Sequence, residues 1–181
     1  MTTPNEAKPV VGRRQWLTGL VACSAVAAGA GWAWRQHSQA ADDGLGDFWN
    51  QAFPALAGQP PLQMQAFRGQ HLLLNFWATW CPPCVQELPM LSQFYQAQRD
   101  KGWSVLGLAV DKPSAVAPFL QRMPLSFPVG IAGLEGTTWS RNLGNSAGGL
   151  PFTVVFDRQG KVQHRKMGQL LASDLQNWSS L

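Results

Sequence analysis

Two of the three cysteines in this chain of 181 residues, Cys81 and Cys84, stand three positions apart in Trp80-Cys81-Pro82-Pro83-Cys84. Two intervening residues let the second sulfur reach the first and close a small ring. The pair falls where an apolar run, Leu72-Leu73-Leu74-Asn75-Phe76-Trp77, gives way to a stretch that reads as a helix. The first turn of a helix has unpaired N–H groups and the positive end of the macrodipole, so a thiolate placed there is stabilised. A thiol made acidic in this way is a nucleophile near neutral pH. Pro82 and Pro83 are tolerated because first-turn residues have no intrahelical N–H bond to lose. The chemistry this predicts is dithiol–disulfide exchange. Cys81 attacks a substrate disulfide, and the more shielded Cys84 then attacks Cys81 and releases the reduced substrate.

Composition removes several rivals. A disulfide-stapled secreted domain needs cysteine pairs spread along the chain. A structural zinc site needs about four Cys or His ligands, whereas the third cysteine, Cys23, lies far upstream and His37, His71 and His164 are scattered. No metal site and no cofactor is expected beyond the cysteine pair itself. The formal charge of +4 is concentrated in Lys8, Arg13, Arg14 and Arg35; from residue 41 onward ten Lys/Arg face nine Asp/Glu. A nucleic-acid binder carries its basic residues on the folded body, so no nucleic-acid partner is expected.

The elements that must position the cysteines read as follows. Residues 41–60 form a helical or irregular approach ending in Gly58-Gln59-Pro60-Pro61, a turn signal. Leu62 to Phe67 alternates as a strand. Leu72 to Trp77 is a strand buried on both faces. A helix follows from about Cys81 to Lys101, containing Pro89 and stopped by Gly102. Trp103 to Val110 is a second buried strand. Ser114 to Arg122 is a helix capped by Ser114, Phe127 to Ile131 a short strand, and Gly136 to Leu143 a short helix. Thr153 to Phe156 and Lys161 to Met167 make a hairpin across Asp157-Arg158-Gln159-Gly160, and a last helix begins at Ser173. This order gives an α/β sandwich, a central mixed sheet flanked by helices.

Leu74-Asn75-Phe76-Trp77-Ala78-Thr79-Trp80-Cys81-Pro82-Pro83-Cys84, followed by Glu87, Leu88 and Pro89, resembles the membrane-anchored TlpA/ResA-like branch of the thioredoxin superfamily. The likeness covers roughly residues 45 to 181. It implies a thioredoxin-like fold, placement outside the cytoplasm and a reducing role toward other envelope proteins. It also implies that Pro151 is a cis proline facing the cysteines, with Leu150 offering main-chain groups to an extended substrate; an ordinary trans proline and a merely packed leucine are the alternatives. Trp80, Pro82 and Pro83 would join them in contacting substrate, while Trp77 belongs to the core. Glu87 shares a helix face with Cys84. In the ResA-like branch a glutamate at this offset handles protons for the pair; otherwise Glu87 is a solvated acid near a helix N-terminus, where the macrodipole favours it. Asn75 departs from the parent thioredoxins, which carry a titratable Asp there, and this leaves Glu87 as the nearby acid.

Residues 1–40 read as an export signal or membrane anchor. Arg13-Arg14-Gln15-Trp16-Leu17 resembles the twin-arginine motif, although Gly12 and Thr18 depart from it. Trp16 to Trp34 carries no charge over nineteen residues, close to the roughly 20 that span a bilayer. A cut after Ala40, a retained anchor and lipidation at Cys23 all remain open. Each leaves residues 41–181, the thioredoxin-like domain, in the periplasm, with the membrane as partner in the anchored cases. The function expected is reduction of envelope proteins, for example apocytochrome c thiols or metal-centre assembly factors. Its electrons would come from a membrane donor of the DsbD/CcdA kind. A disulfide oxidase or isomerase, or a copper-handling protein using the same thiols, are the alternatives.

Overall fold

The computed structural model describes residues 45–56 and 58–181. The expected leader, Cys23 and His37 lie outside the described residues. Among the described residues no helix is long and apolar enough to cross a membrane.

The chain opens with a short helix α1 (Gly46–Trp49) and two two-residue strands, β1 (Ala52–Phe53) and β2 (Leu62–Gln63), paired antiparallel. The strand expected over Leu62 to Phe67 stops at Gln63, and Met64–Phe67 forms a 3-10 turn. The reason is burial: Met64 and Phe67 both go inside. A spacing of three puts them on one side of a 3-10 turn, whereas strand alternation would send them to opposite faces.

The remaining elements are β3 (His71–Trp77), α2 (Pro82–Gln98), β4 (Trp103–Ala109), α3 (Pro113–Arg122), β5 (Val129–Ile131), α4 (Glu135–Asn142), β6 (Phe152–Phe156), β7 (Val162–Met167) and α5 (Ala172–Trp178). The five longer strands form one mixed sheet in the order β5-β4-β3-β6-β7. β3, β4 and β5 run parallel, joined by α2 and α3, while β6 and β7 pair antiparallel. β3 is therefore central, and this explains why it reads as an almost continuous apolar run, broken only by Asn75. Past α2, a single 3-10 turn over Arg99–Lys101 ends at Gly102 with φ 89°, the left-handed stop that its glycine predicts.

Ser114 does not cap α3. Lys112 holds the cap position with Pro113 behind it at the first helical position, because proline's fixed φ and missing N–H suit that place. β5 begins at Val129 rather than Phe127, since Pro128 has no N–H to give a ladder.

The sheet separates two packed layers. On one face α2, α3 and α5 cover Leu73, Trp77, Val105, Ala109 and Val155. On the other, α1, the 3-10 turn and α4 cover Leu72, Leu74, Phe76, Phe152, Val154 and Phe156. His71 stacks on Trp103 and His164 on Trp178, so these two histidines are packing residues, as their scatter suggests.

Candidate active site

Parallel pairing of β3 with β4 sets the site's location, because both strands end at the same edge of the sheet. Beyond Trp77 the chain turns through Ala78, whose carbonyl accepts the Cys81 N–H at 3.2 Å. Asp111, just after β4, ties this turn down. One carboxylate oxygen accepts the Thr79 N–H at 3.0 Å and the Thr79 hydroxyl at 2.6 Å. The sequence offered no pattern for that clamp, since its partners are 32 residues apart.

Cys81 is the cap residue of α2, with Pro82 and Pro83 filling the first turn. Its sulfur accepts the Cys84 N–H at 3.3 Å, so an amide at the helix head points at the atom that would carry charge. Cys81 and Cys84 are joined as a disulfide with Cα atoms 5.3 Å apart. Cys81 retains 5% exposure and Cys84 none, so the first is the more accessible and the second is sheltered. Trp80 stands beside them 67% exposed, while Trp77 is fully buried.

Pro151 immediately precedes β6, whose Phe152 pairs with Phe76. That register places Pro151 at the edge of the sheet where β3 ends and the cysteine turn begins. The Leu150–Pro151 bond is cis, and the Pro151 carbonyl accepts the Gly168 N–H at 2.9 Å. Leu150 is half-buried and packs against both core layers. The loop before it is pinned by Asn145, a fully buried residue that the sequence reading did not single out. Its amide donates to the Gly149 carbonyl at 2.8 Å and to the Ser140 hydroxyl at 3.4 Å.

Glu87 is not a solvated acid. It is 1% exposed, one turn beyond Cys84 on the face of α2 that lies on the sheet. One carboxylate oxygen accepts from the Asn75 amide at 2.7 Å and the other from the Leu170 backbone N–H at 2.7 Å. Asn75 also donates to the Thr153 hydroxyl at 3.0 Å. Burial, opposed by the Leu170 and Asn75 hydrogen bonds and the charge of Lys166, raises the Glu87 pKa from 4.5 to a net value of about 7. Removing a carboxylate from water disfavours its charged form, and two donors only partly offset that. Asn75 Oδ1 is buried without a partner, so a turned amide would offer an acceptor to a protonated Glu87. Glu87 can therefore gain or lose a proton at neutral pH.

Among the described residues no three His, Cys, Asp or Glu side chains come together as a metal site.

A disulfide at the head of a helix, on a mixed sheet with a cis proline before an adjacent strand, defines a thioredoxin-like domain. The family model described as Redoxin matches residues 50–177, and the chain belongs to that family. It is 32% identical over 119 residues to a thiol-disulfide oxidoreductase ResA of Bacillus cereus, covering 65% of this chain and 66% of that relative. A ResA of Geobacillus kaustophilus is 30% identical over 115 residues, covering 63% and 64%. The chain thus spans just under two thirds of the length of these relatives. Among solved structures, a thioredoxin-related protein from Neisseria meningitidis serogroup B superposes with a TM-score of 0.63 at 29% identity, covering 72% of this chain and 96% of that one. A thioredoxin family protein from Chlorobium tepidum shares the fold at a TM-score of 0.63 and 23% identity, covering 71% and 91%.

Proposed function

We propose that the protein is a thiol–disulfide oxidoreductase that reduces disulfides of envelope proteins through Cys81 and Cys84. The observation that carries this reading is the Cys81–Cys84 disulfide at the head of α2, one helical turn before a buried carboxylate that titrates near neutral pH.

In the reduced protein the Cys81 thiolate attacks one sulfur of a substrate disulfide. A Cys81–substrate bond forms, the substrate S–S bond breaks, and the first substrate thiolate leaves. Cys84 gives its proton to the Glu87 carboxylate and attacks the Cys81 sulfur. The intramolecular disulfide forms and the second substrate sulfur departs as a thiolate, which takes up a proton. Two electrons have passed from the cysteine pair to the substrate. Glu87 serves this step because a base works best when its pKa lies near the working pH. Trp80, Pro82 and Pro83 flank the attacked sulfur, and the cis Pro151 turns the Leu150 main chain toward an extended substrate for strand addition. No cofactor is required beyond the cysteine pair.

The reducing direction rests on the likeness to ResA proteins. Placement in the periplasm, anchored to the inner membrane, rests on the twin-arginine-like motif and the uncharged segment Trp16 to Trp34. In that compartment the electrons come from a membrane donor of the DsbD/CcdA kind. The substrates are cysteine-bearing envelope proteins such as apocytochrome c before haem attachment or metal-centre assembly factors.

Cys84→Ala removes the resolving thiol, so mixed disulfides on Cys81 accumulate and can be recovered from envelope extracts. Absence of any such adduct while wild type remains active overturns the two-step mechanism. Equilibration with thiol buffers tests the direction: a potential below about −200 mV is expected, whereas one near the roughly −120 mV of DsbA makes the protein an oxidase.

A further inference from the structure

Lys166 and Asp174 take no part in the exchange, yet both bear on the chain that holds Glu87. β7 alternates, with Val162, His164 and Lys166 partly covered and Gln163, Arg165 and Met167 exposed. Lys166 shares its side of β7 with His164, which stacks on Trp178 of α5, so it lies on the sheet face covered by α2 and α5. It pairs in register with Thr153 of β6, which pairs in turn with Asn75 of β3. Register partners project to the same side of a sheet, so Asn75, Thr153 and Lys166 form one polar row across an otherwise apolar layer, and Glu87 bonds its inner end. At the outer end Lys166 Nζ lies 2.5 Å from Asp174 Oδ2, with 27% and 21% of the two side chains exposed. The same Asp174 oxygen accepts the Leu171 N–H at 2.7 Å, while the preceding amide, Leu170 N–H, goes to Glu87. Consecutive amides therefore bind the two carboxylates.

A cation on the covered face of an edge strand loses hydration that an exposed one keeps, and capping α5 needs only Asp174. We propose that Lys166, clamped by Asp174, is a positioning residue for Glu87, holding a positive charge at the end of the polar row so that the buried carboxylate can carry its own charge in the folded protein. This rests on the proton-handling reading of Glu87. Lys166 is the one charged side chain acting on Glu87 among the described residues, and it acts to lower the pKa. The other ionisable side chains on the packed elements are Tyr95 of α2, His71 of β3, His164 of β7 and Asp174 of α5, while Cys81 and Cys84 are joined as a disulfide. Arg165 points away, donating to the Leu143 carbonyl at 2.6 Å. Without Lys166, burial acts on Glu87 less opposed, and the carboxyl stays protonated to higher pH.

The chain has three glutamates, Glu6, Glu87 and Glu135, so carbon-13 labelling at the glutamate carboxyl follows Glu87 directly, with the Glu87→Gln variant assigning its signal. In the intact disulfide form, Lys166→Met is expected to move the Glu87 midpoint upward by about half a pH unit or more. Lys166→Arg should restore it, and His164→Gln should leave it in place. Lys166→Gln serves if the methionine variant does not fold. The acid limb of the pH profile for reduction of oxidised glutathione by the dithiol form should move with the midpoint. A Glu87 midpoint unmoved in both Lys166→Met and Lys166→Gln, or one that arginine fails to restore, overturns the inference. If instead the midpoint moves with Lys166 but Glu87→Gln has a wild-type exchange profile, the charge effect stands and the proton-handling reading falls.

Discussion

The two faces of the sheet are built from the same strands and serve different ends. Under α1 and α4 the layer is aromatic: Phe48 stacks on Phe156 with centroids 5.8 Å apart, and Trp49 meets the same ring edge-on at 5.0 Å. The strand positions facing it, Leu72, Leu74, Phe76, Phe152, Val154 and Phe156, are all apolar, and the buried Ser140 and Asn145 lie in and just after α4 rather than on the sheet. Under α2 the equivalent rows hold Leu73, Trp77 and Val155, but between them lie Asn75, Thr153 and Glu87, all buried. A buried carboxyl with two donors and an unpartnered amide oxygen beside it costs stability. The first face holds the fold together, whereas the second gives up part of that stabilisation to keep an ionisable group against the helix that presents the sulfurs.

Substitutions on each face break or sharpen this contrast. The largest effect is expected at the cysteine itself: Cys81→Ser removes the attacking sulfur, and disulfide reduction in a turnover assay falls to background while the domain stays folded by circular dichroism. On the aromatic face, Phe156→Ala should cost about 3–5 kcal/mol in denaturant unfolding, with exchange per folded molecule unchanged. If exchange collapses as well, the two faces are not independent.

Glu87 sharpens the comparison through pH. Its folded pKa, about 7, lies above the unfolded value of 4.5, so between these limits the native state keeps a proton that the unfolded chain has lost. Stability therefore falls as pH rises through this window, by about 3 kcal/mol in total. Glu87→Gln should flatten this slope, being the more stable form at pH 8 and the slower one in exchange. Unfolding curves at pH 5 and pH 8 check it, and parallel slopes for the two proteins would refute the assignment. The smallest effect is at Trp80. Exposed as it is, Trp80→Ala should change stability by less than about 0.5 kcal/mol and act on the apparent affinity for protein substrates. A raised KM with an unchanged kcat is the expected signature.

Local pattern and spacing were enough to place Cys81 and Cys84 at a helix head within bonding reach, to make β3 a strand buried on both faces and to stop the helical stretch at Gly102, because each depends on neighbours within a few residues. The resemblance carried by residues 74–89 brought the cis proline and the choice of Glu87. The sequence could not say whether Glu87 was buried, since a glutamate one turn past a helix N-terminus reads the same in water or under a sheet. That was decided by Asn75, twelve residues back, and by the Leu170 amide, 83 residues on. The Thr79–Asp111 clamp, the Asn145 pin and the row ending at Lys166 join residues whose pairing exists only once the strands are in register. Burial and electrostatic environment are properties of the packed chain, and they set where the carboxyl titrates.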